Sequence, residues 1–338
     1  MTSRKNRYFV FVGAVALFAT SCSHKVLPQD ALDPQGPNAR QLNTLIRPVF
    51  LVAALIFVFV EGLVVYTTIR FRKRSDEDAP KQVHGNVKLE LGWTIAPALI
   101  LAVIGISMLT TIFSISRRPA NALQVSVTGH QWWWEYKYPG MNVTTANELH
   151  IPTGKPVDIR LTSIDVIHNF WPPKLAGKVY AVPGRVNHMT LQADKPGEYY
   201  GQCAEFCGLS HANMRLRVIA HTPADFERWV QANEVQSAAP QLDPASGSAA
   251  ATGQQLFSTK GCASCHSITG ISAGQVGPNL THFEQRHVFA GSIFDTNDLN
   301  LRKWLRNPPE EKPGSIMPNL KLSEDEITQL IAYLDTLR

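Results

Sequence analysis

The chain has 338 residues, of which 44% are hydrophobic and 17% are charged, so it is too long for one small domain and too apolar for wholesale disorder. Its formal net charge of +5 at pH 7 is too small for a nucleic-acid-binding protein, which concentrates a large basic excess on one face. The cysteines are one isolated residue and two close pairs: Cys22, Cys203, Cys207, Cys262 and Cys265. This arrangement is poor material for a disulfide framework and indicates cysteines with a chemical role.

The N-terminal segment at 1–21 is predicted to be a secretory signal peptide. A basic start, with Arg4, Lys5 and Arg7, precedes an uncharged stretch that is too short to cross a bilayer. The stretch ends in a sequence that resembles a bacterial lipoprotein signal, so Cys22 is a candidate lipidation site. An unmodified cysteine after ordinary signal cleavage is the alternative, and in either case the segment 22–46 is expected to be exported.

Two apolar runs are long enough to cross a membrane as helices, and we predict spans at 47–70 and 91–116. Glu61 lies inside the first span, where an ionisable group is costly and is expected to face protein rather than lipid. Basic residues crowd the connecting loop at 71–90, and the positive-inside rule therefore assigns this loop to the cytoplasm. Everything from Arg117 onward is then expected on the outer side, which a cleaved signal peptide predicts independently.

Short runs of alternating apolar and polar residues, such as 123–127, predict an all-β domain at 120–235. Several short strands separated by turn formers favour an antiparallel sandwich or barrel. Three consecutive tryptophans, Trp132, Trp133 and Trp134, fall on a predicted strand of this domain. The first and third would share one face, and packing in the core or at an interface is the ordinary interpretation for two of the three.

The chain is predicted to end in a small all-α domain on a flexible linker. Residues 236–252 are rich in Ala, Ser, Gln, Gly and Pro and contain a single charge, which is typical of a flexible segment. Helical patterning follows at 253–338. Its clearest part is a capping box formed by Ser323 and Glu326 ahead of an apolar stripe.

The densest group of metal donors consists of Cys203, Cys207, His211 and Met214, within twelve residues on a loop between predicted strands. Thiolate, imidazole and thioether donors together favour copper. A mononuclear blue-copper site uses one cysteine, whereas a second thiolate can bridge, so two copper ions fit these donors better if another imidazole joins them. His168 is the best-placed candidate for that imidazole. The alternatives are a disulfide between the two cysteines and a zinc site.

The sequence Cys262-Ala-Ser-Cys265-His266 is the attachment signature of a c-type haem, in which both thiols bind the haem and the histidine ligates its iron. A thioredoxin-like redox pair, the main alternative, needs a βαβ context that this helical segment lacks. Met317 is the candidate for the sixth iron ligand, and a methionine there raises the reduction potential relative to a second histidine. The other candidates for this position are His282 and His287.

These segments together resemble subunit II of the haem-copper cytochrome c oxidases over about 40–221. The resemblance is carried by the segments 129–134, 165–168, 181–185 and 201–214. The position of Met317 and the sequence at 277–280, whose backbone would orient His266, resemble small bacterial cytochromes c. The order of the modules resembles the caa3-type oxidases, so the resemblance implies a two-helix transmembrane hairpin, a cupredoxin-like sandwich and a cytochrome c domain.

The resemblance also implies roles for individual residues. It implies that a binuclear copper centre, CuA, is held by the side chains of His168, Cys203, Cys207, His211 and Met214 and by the backbone carbonyl of Glu205. The Glu205 carboxylate would help bind magnesium beside the catalytic subunit, and Trp132 would be the residue through which electrons reach the copper. Glu90 would lie at the mouth of a proton pathway, with a solvated acid at a helix start as its alternative.

The implied function is the electron-input subunit of a terminal respiratory oxidase. Electrons from a cytochrome c or a bc1-type complex would pass through the fused haem c and CuA to haem a in subunit I, where haem a3 and CuB reduce oxygen to water with proton translocation. The implied partners are subunits I and III and the lipid of a bacterial plasma membrane, with the copper and haem domains on the extracytoplasmic side. The alternatives are the electron-input subunit of a CuA-containing nitric oxide reductase and a membrane-anchored copper storage or chaperone module.

Overall fold

The computed structural model describes residues 27–72, 84–234 and 239–338. The predicted signal peptide at 1–21 and the candidate lipidation site Cys22 lie outside the described residues. Three units follow one another along the described chain: a pair of long helices, a β-sandwich and a small helical domain. This multi-domain order confirms the prediction from the sequence.

The two long helices are α1 (Pro37–Arg70) and α2 (Val87–Ile115), and both are long and apolar enough to cross a membrane. Helix α1 begins well before the predicted span, because Gly36 ends an extended segment and Pro37 fits the first turn of a helix. Most of the side chains along both helices are exposed in the isolated chain. Such surfaces are stable only in contact with lipid or with other membrane-spanning segments.

The sandwich consists of two five-stranded sheets. Its strands are β1 (Leu123–His130), β2 (Trp133–Tyr138), β3 (Val143–Ala146), β4 (Glu148–Pro152), β5 (Val157–Ser163), β6 (His168–Trp171), β7 (Val179–Ala181), β8 (Asn187–Leu191), β9 (Gly197–Cys203) and β10 (Arg215–His221). One sheet has the order β3-β2-β1-β5-β8 and the other has the order β4-β10-β9-β6-β7. The predicted sandwich is confirmed, but the antiparallel arrangement is wrong for two pairs, since β1 runs parallel to β5 and β4 runs parallel to β10. Alternation of apolar and polar residues marks a half-buried strand in either direction, so it carries no information on strand orientation.

Apolar side chains from both sheets fill the space between them. Strand β2 contributes Trp134 and Tyr138, which are buried and lie on the same side of the strand because they are an even number of residues apart. Helix α3 (Pro223–Ala232) closes one end of the sandwich. There the ring of Trp229 stacks on the ring of His150, with 4.1 Å between their centroids.

Trp132 lies in the turn between β1 and β2 and not on a strand. The two strands pair antiparallel, with His130 opposite Trp133, so the chain reverses within the two residues between them. The prediction that Trp132 and Trp134 share one face of a strand is therefore wrong. Tryptophan is not a turn-forming residue, and the sequence gives no local signal for a reversal at this point.

The C-terminal domain is mostly helical. Its helices are α4 (Ala249–Thr259), α5 (Cys262–Cys265), α6 (Asp298–Arg306), α7 (Pro308–Glu311) and α8 (Glu324–Leu334). Two short antiparallel pairs join them, β11 (Ser267–Ile268) with β12 (Ser272–Ala273) and β13 (Val288–Phe289) with β14 (Phe294–Asp295). Helices α4 and α8 approach so closely that a side chain at Gly253 would collide with the backbone of Gln329. The predicted capping box of Ser323 and Glu326 is present at the start of α8.

The predicted flexible linker at 236–252 is wrong for residues 239–252, which are folded against the C-terminal domain. Ala239 is buried, and its N–H donates to Thr269 O at 3.0 Å. The side-chain amide of Gln254 donates to Pro240 O (3.2 Å) and accepts from Leu242 N–H (3.0 Å). A segment of small and polar residues can pack against a domain when a neighbouring helix supplies hydrogen bonds to it. The remaining linker residues, 236–238, lie outside the described part of the chain.

Candidate copper and haem sites

The loop with the four predicted metal donors is held by the sheet on both of its sides. Strand β9 ends at Cys203 and β10 begins after Met214, and the N–H of Cys203 donates to Met214 O at 2.9 Å. The N–H of Ala204 donates to Asn169 O at 2.9 Å, which ties the loop to β6. Because β6 begins at His168 and pairs with β9, the sheet brings this histidine next to Cys203. Strand pairing therefore brings His168 next to the loop although the two are far apart in the sequence.

The five predicted copper donors converge. The Sγ atoms of Cys203 and Cys207 are 3.8 Å apart, and both cysteines are free and buried. His168 Nδ1 is 4.0 Å from Cys203 Sγ, and His211 Nδ1 is 3.5 Å from Cys207 Sγ. Met214 Sδ is 3.8 Å from Cys207 Sγ. The two sulfurs are not joined as a disulfide, so the cysteines remain available as metal ligands.

This arrangement fits two copper ions that share the two sulfurs. Each thiol has an imidazole beside it on its own side, and the backbone oxygen of Glu205 lies 3.3 Å from Cys203 Sγ. Four donors of two cysteines and two histidines would satisfy one zinc ion, but zinc would leave the buried thioether of Met214 without a role. Soft sulfur donors together with imidazole select copper.

Asp165 orients one of the copper donors, and the sequence analysis gave this residue no role. Its Oδ1 lies 2.7 Å from His168 Nε2, and its Oδ2 accepts from the N–H of Gln131 at 2.6 Å. Burial alone would raise the pKa of Asp165, but the bonds from His168 and from the N–H groups of Val166 and Gln131 outweigh it and lower the pKa to about 2. A carboxylate on the far ring nitrogen of a ligand histidine fixes its tautomer and orientation. A carboxylate three residues before a candidate ligand is the signal that could have identified it.

Two exposed apolar side chains, Phe206 and Leu209, project from the tip of the copper loop. They are 79% and 80% exposed in the isolated chain, and Glu205 lies next to them, partly exposed. Such a tip buries its apolar surface only against another protein or a membrane. The geometry leaves the Glu205 side chain on this outward surface, while its backbone oxygen points to the copper donors.

Trp132 lies between the copper loop and the C-terminal domain. Its indole N–H donates to Cys207 O at 2.9 Å, and a side chain at Gly208 would come within 3.0 Å of its ring. A side chain at Gly314, in the C-terminal domain, would come within 2.7 Å of the same ring. The tryptophan is only 7% exposed because both domains cover it.

The C-terminal domain contains a cavity of about 370 Å³ at the predicted haem site. The lining includes the predicted attachment and axial residues, Cys262, Cys265, His266 and Met317. Its apolar walls include Phe283, Phe289 and Trp304. A cavity of this size that is lined mainly by apolar side chains fits a large apolar cofactor.

The orientation of the His266 ring is fixed by contacts with the segment 277–280. Its Nδ1 is 2.8 Å from Pro278 O, which leaves Nε2 free to act as a ligand. A side chain at Gly277 would come within 2.5 Å of the His266 ring, so only glycine fits there. These contacts agree with the orienting role that the resemblance implied for 277–280.

Met317 is the candidate sixth ligand that reaches the cavity. Neither His282 nor His287 contributes to the cavity wall. His282 is buried elsewhere, with its Nδ1 at 2.8 Å from Arg338 O. The geometry therefore favours methionine over the two histidines.

Two buried cations in the cavity wall were missed by the sequence analysis. Arg286 donates to Asn279 O, and burial lowers its pKa to about 10. Lys312 is 4% exposed, and burial lowers its pKa to about 7. Nothing in the sequence distinguishes them from surface residues, because their burial depends on how the two domains meet.

The C-terminal domain is docked on the copper domain through hydrogen bonds at several points. Arg215 N–H donates to Gly291 O (2.9 Å), and Ser210 Oγ donates to Pro313 O (2.6 Å). Farther away, the N–H of Val288 donates to the buried carboxylate of Glu148 (2.6 Å). The first two contacts adjoin the copper donors in sequence, so docking and the copper loop are coupled.

The two candidate acids of the membrane region lie on the long helices. Glu90 is in the first turn of α2, where Asn86 caps the helix, and its side chain is exposed. Glu61 lies on α1 and is also exposed in the isolated chain, so the expectation that it faces protein depends on a partner subunit. The structure brings neither of them near the copper donors.

Comparison with known protein families accounts for most of the chain. Residues 26–111 match "Cytochrome C oxidase subunit II, transmembrane domain", 141–221 match "Cytochrome C oxidase subunit II, periplasmic domain", and 250–338 match "Cytochrome c". The three matched segments correspond to the helix pair, the sandwich and the C-terminal domain.

Individual relatives are similar over nearly the whole chain. Cytochrome c oxidase subunit 2 of Alkalihalophilus pseudofirmus is 35% identical over 339 residues, which covers 98% of this chain and 96% of that protein. Cytochrome c oxidase subunit 2 of Bacillus sp. strain PS3 is 33% identical over 354 residues, 98% of this chain and 97% of that protein. Among solved structures, the periplasmic domain of subunit II of cytochrome oxidase of Bradyrhizobium japonicum is 32% identical and covers 36% of this chain and 99% of its own, with a TM-score of 0.34.

Proposed function

The chain belongs to the cytochrome c oxidase subunit 2 family, and we propose that it is the electron-input subunit of a terminal respiratory oxidase. Its domains are those of a membrane-anchored subunit that carries CuA copper and haem c. The observation that carries the proposal is the position of Trp132. One residue donates a hydrogen bond to the backbone of Cys207 and also forms part of the wall of the haem cavity.

In this proposal the chain's own residues fix two redox centres on either side of Trp132. When bound, the haem and the copper pair each accept and release one electron. Cys262 and Cys265 would hold the haem covalently, and His266, oriented by Pro278 O, and Met317 would ligate its iron.

The copper pair would be held by His168, Cys203, Cys207, His211 and Met214, with the backbone oxygen of Glu205. Neighbouring members of this set are 3.3 to 4.0 Å apart, so the ligands are already assembled before metal binds. A preorganised, buried ligand set undergoes little rearrangement when the charge of its metal changes, which favours fast electron transfer. Asp165 keeps His168 in one orientation.

External electrons enter at the haem domain and not at Trp132. The ring of this tryptophan lies close to Gly314 of the haem domain and to Gly208 of the copper loop, and only 7% of the residue is exposed. A soluble cytochrome therefore has no access to it while the domains are docked. The physiological donor, a cytochrome c or a bc1-type complex, would instead meet the haem domain.

The tip of the copper loop is the surface proposed to meet subunit I, which contains haem a, haem a3 and CuB. Exposed Phe206 and Leu209 supply apolar contact, and the Glu205 carboxylate beside them would provide an oxygen ligand for magnesium shared with that subunit. Subunit III and membrane lipid would cover the long helices. Glu90 at the start of α2 would lie at the mouth of a proton pathway on the cytoplasmic side.

The proposed location is a bacterial plasma membrane, with the copper and haem domains on the extracytoplasmic side. The basic loop between the helices supports this orientation. A nitric oxide reductase subunit would use the same relay, whereas a copper storage module would leave the haem cavity without a role. The relatives that match over nearly the full chain are named as oxidase subunits, which favours the oxidase.

The proposal is tested on the purified, detergent-solubilised complex that contains the full chain. We expect two tightly held copper ions and one haem c per chain, and an electron paramagnetic resonance spectrum with hyperfine structure from two equivalent copper nuclei. After flash reduction of the haem, copper should be reduced as the haem is reoxidised, and the complex should consume oxygen. A single exchangeable copper, or haem and copper that do not exchange electrons, would overturn the proposal.

A further inference from the structure

Lys312 joins the two extracytoplasmic domains through a buried ammonium group. Its Nζ donates to Trp132 O in the copper domain at 2.6 Å and to Ala290 O in the haem domain at 2.7 Å. The side chain also forms part of the wall of the haem cavity. One side chain thus touches the haem cavity, the backbone of the tryptophan between the two sites, and a loop of its own domain.

The surrounding backbone is shaped around this ammonium. Ala290, Gly291 and Ser292 all have left-handed conformations, with φ of 53°, 82° and 58°, which cost free energy for residues other than glycine. A side chain at Gly291 would collide with Lys312 Nζ and would come within 2.8 Å of Trp132 O. Lys312 itself is fixed by its N–H, which donates to Pro308 O at 2.9 Å at the end of α7.

A buried lysine is an expensive way to join two domains. Removing an ammonium from water costs several kcal/mol, and the Lys312 ammonium donates to two neutral carbonyl groups rather than to a carboxylate. The same interface contains a cheaper contact at its rim, where Arg217 pairs with the exposed Asp295 at 3.2 Å. Adhesion alone therefore does not require Lys312, whereas holding the Trp132 carbonyl against the Ala290 carbonyl requires a donor between them.

We propose that Lys312 is a positioning residue for electron transfer, which holds the backbone of Trp132 against the haem-binding domain at a fixed distance. This inference rests on the proposed function, because it assigns the contact a role in the passage of electrons from haem to copper. The Lys312 ammonium donates to Trp132 O and Ala290 O, and neither residue is a predicted metal ligand. It acts through Trp132, whose indole is bonded to the copper loop.

The test is Lys312→Met in the purified complex, since methionine keeps much of the length of the side chain and removes its donors. We expect the rate of electron transfer from haem to copper after flash reduction to fall by about tenfold or more, because small displacements of reacting groups are costly. Reduction of the haem by an external donor should keep its rate, and the haem and copper midpoint potentials should remain those of the wild type.

Two control variants separate positioning from general effects. Asp295→Asn removes the rim pair with Arg217 without touching Lys312, and Lys303→Met removes an exposed lysine from α6 of the same domain. Both should transfer electrons from haem to copper within about twofold of the wild-type rate, since exposed charges contribute little to such contacts.

A second measurement does not depend on a rate. The distance between the haem iron and the copper pair, measured by pulsed electron paramagnetic resonance on the oxidised complex, should broaden in Lys312→Met and stay narrow in both controls. If Lys312→Met fails to bind its cofactors, Lys312→Gln, which keeps a shorter neutral donor, should give a smaller broadening and a smaller loss of rate.

The outcomes distinguish this inference from the proposed function. Wild-type complex that transfers electrons from haem to copper, together with a Lys312→Met variant of unchanged rate and unchanged distance distribution, overturns the role of Lys312 alone. Wild-type complex in which haem and copper exchange no electrons overturns the proposed function, whatever the variants do.

Discussion

The copper loop and the haem cavity lie on either side of Trp132 and are built in opposite ways. Each copper donor already lies within 4.0 Å of a neighbouring donor, and the loop that carries four of them is held by backbone hydrogen bonds to the strands. The haem ligands instead line a cavity of about 370 Å³ whose walls are mostly apolar. The copper domain is therefore a complete fold without its metal, whereas the core of the haem domain is completed by its cofactor.

The strongest test of this contrast removes the covalent attachment of the haem. Cys262→Ser combined with Cys265→Ser should leave the cavity without its cofactor, and the apolar side chains that line it would lose their packing partner. Loss of that packing should cost on the order of 5 kcal/mol, which is a large part of the stability of a domain. We expect residues 250–338 to become sensitive to proteolysis, as measured by limited digestion and calorimetry, while the copper domain stays resistant.

The copper signal is the internal control in the same sample. It should keep the hyperfine structure of two nuclei, because Trp132 and the copper loop are fixed by the sandwich itself. A haem domain that stays resistant to protease without haem would contradict the view that the cofactor completes its core.

The matching change on the copper side is Cys207→Ser. Loss of one bridging sulfur should abolish the hyperfine structure from two equivalent nuclei in the paramagnetic resonance spectrum. The free energy of unfolding of the copper domain should change by no more than about 2 kcal/mol, because the change conserves volume and the loop keeps its backbone bonds. Thermal unfolding followed by circular dichroism measures this change, and a collapse of the sandwich would show that the metal, and not the sheet, holds the loop.

The sequence predicts a site correctly where the ligands lie close together along the chain. Cys203, Cys207, His211 and Met214 lie on one loop, and a loop between paired strands brings its residues together whatever the rest of the chain does. The haem signature is likewise five consecutive residues. The second imidazole, His168, required knowledge of strand pairing, and the resemblance to a family supplied the support that local pattern could not.

What the sequence does not reveal depends on contact between the domains. Three features lie where the two domains meet: the turn at Trp132, the buried Lys312 and the left-handed loop at 290–292. The pattern of apolar and polar residues in the sequence does not predict how two domains dock. The folded state of 239–252 depends instead on contacts within the C-terminal domain, where Gln254 supplies hydrogen bonds that the composition of the segment does not predict. The direction of the strands in the sandwich could not be predicted either, because alternation of apolar and polar residues is the same in parallel and antiparallel strands.

A pH-dependent contribution to stability is expected on the copper side, away from both cofactors. His150 Nδ1 and His221 Nε2 are 2.8 Å apart, and their rings pack with Trp229. Burial, with His150 nearby, lowers the pKa of His221 to about 4. The pKa of His221 is lower in the folded protein than in the unfolded chain, where it is about 6.5. Its contribution to the stability of the copper domain is therefore fully present above pH 6.5 and is lost as the pH falls toward 4.

Between pH 7 and pH 5 the charging of His221 should therefore lower the free energy of unfolding of the copper domain by at most about 2 kcal/mol, because solvent screens this partly exposed ring. His221→Phe keeps a ring against Trp229 and removes the titration, so its stability should vary less over the same interval. Denaturant unfolding at both pH values measures the difference. Equal losses in the wild type and the variant would assign the pH dependence to other groups.

The smallest expected effect comes from removing the N-terminal cap of helix α8, which tests whether the haem domain and the copper domain unfold separately. Helix α8 contributes Leu334 to the wall of the haem cavity, and its first turn is held by Ser323, whose hydroxyl accepts from the N–H of Glu326 at 3.2 Å. Ser323→Ala should lower the stability of the haem domain by about 1 kcal/mol, because a helix N-terminus loses its cap. Glu324→Gln, which only weakens an exposed pair with Arg306, is the matched control in the same turn and should cost less than half of that.

Unfolding followed separately by the haem and copper absorption bands decides how far this change spreads. If the two regions unfold independently, Ser323→Ala lowers the midpoint of the haem band and leaves that of the copper band in place. If both midpoints fall together, the contacts around Trp132 and Lys312 make one cooperative unit of two domains that hold their cofactors in different ways. In that case the sandwich would share in every loss of stability that the haem domain suffers, and the contrast between the regions would hold for cofactor binding but not for folding.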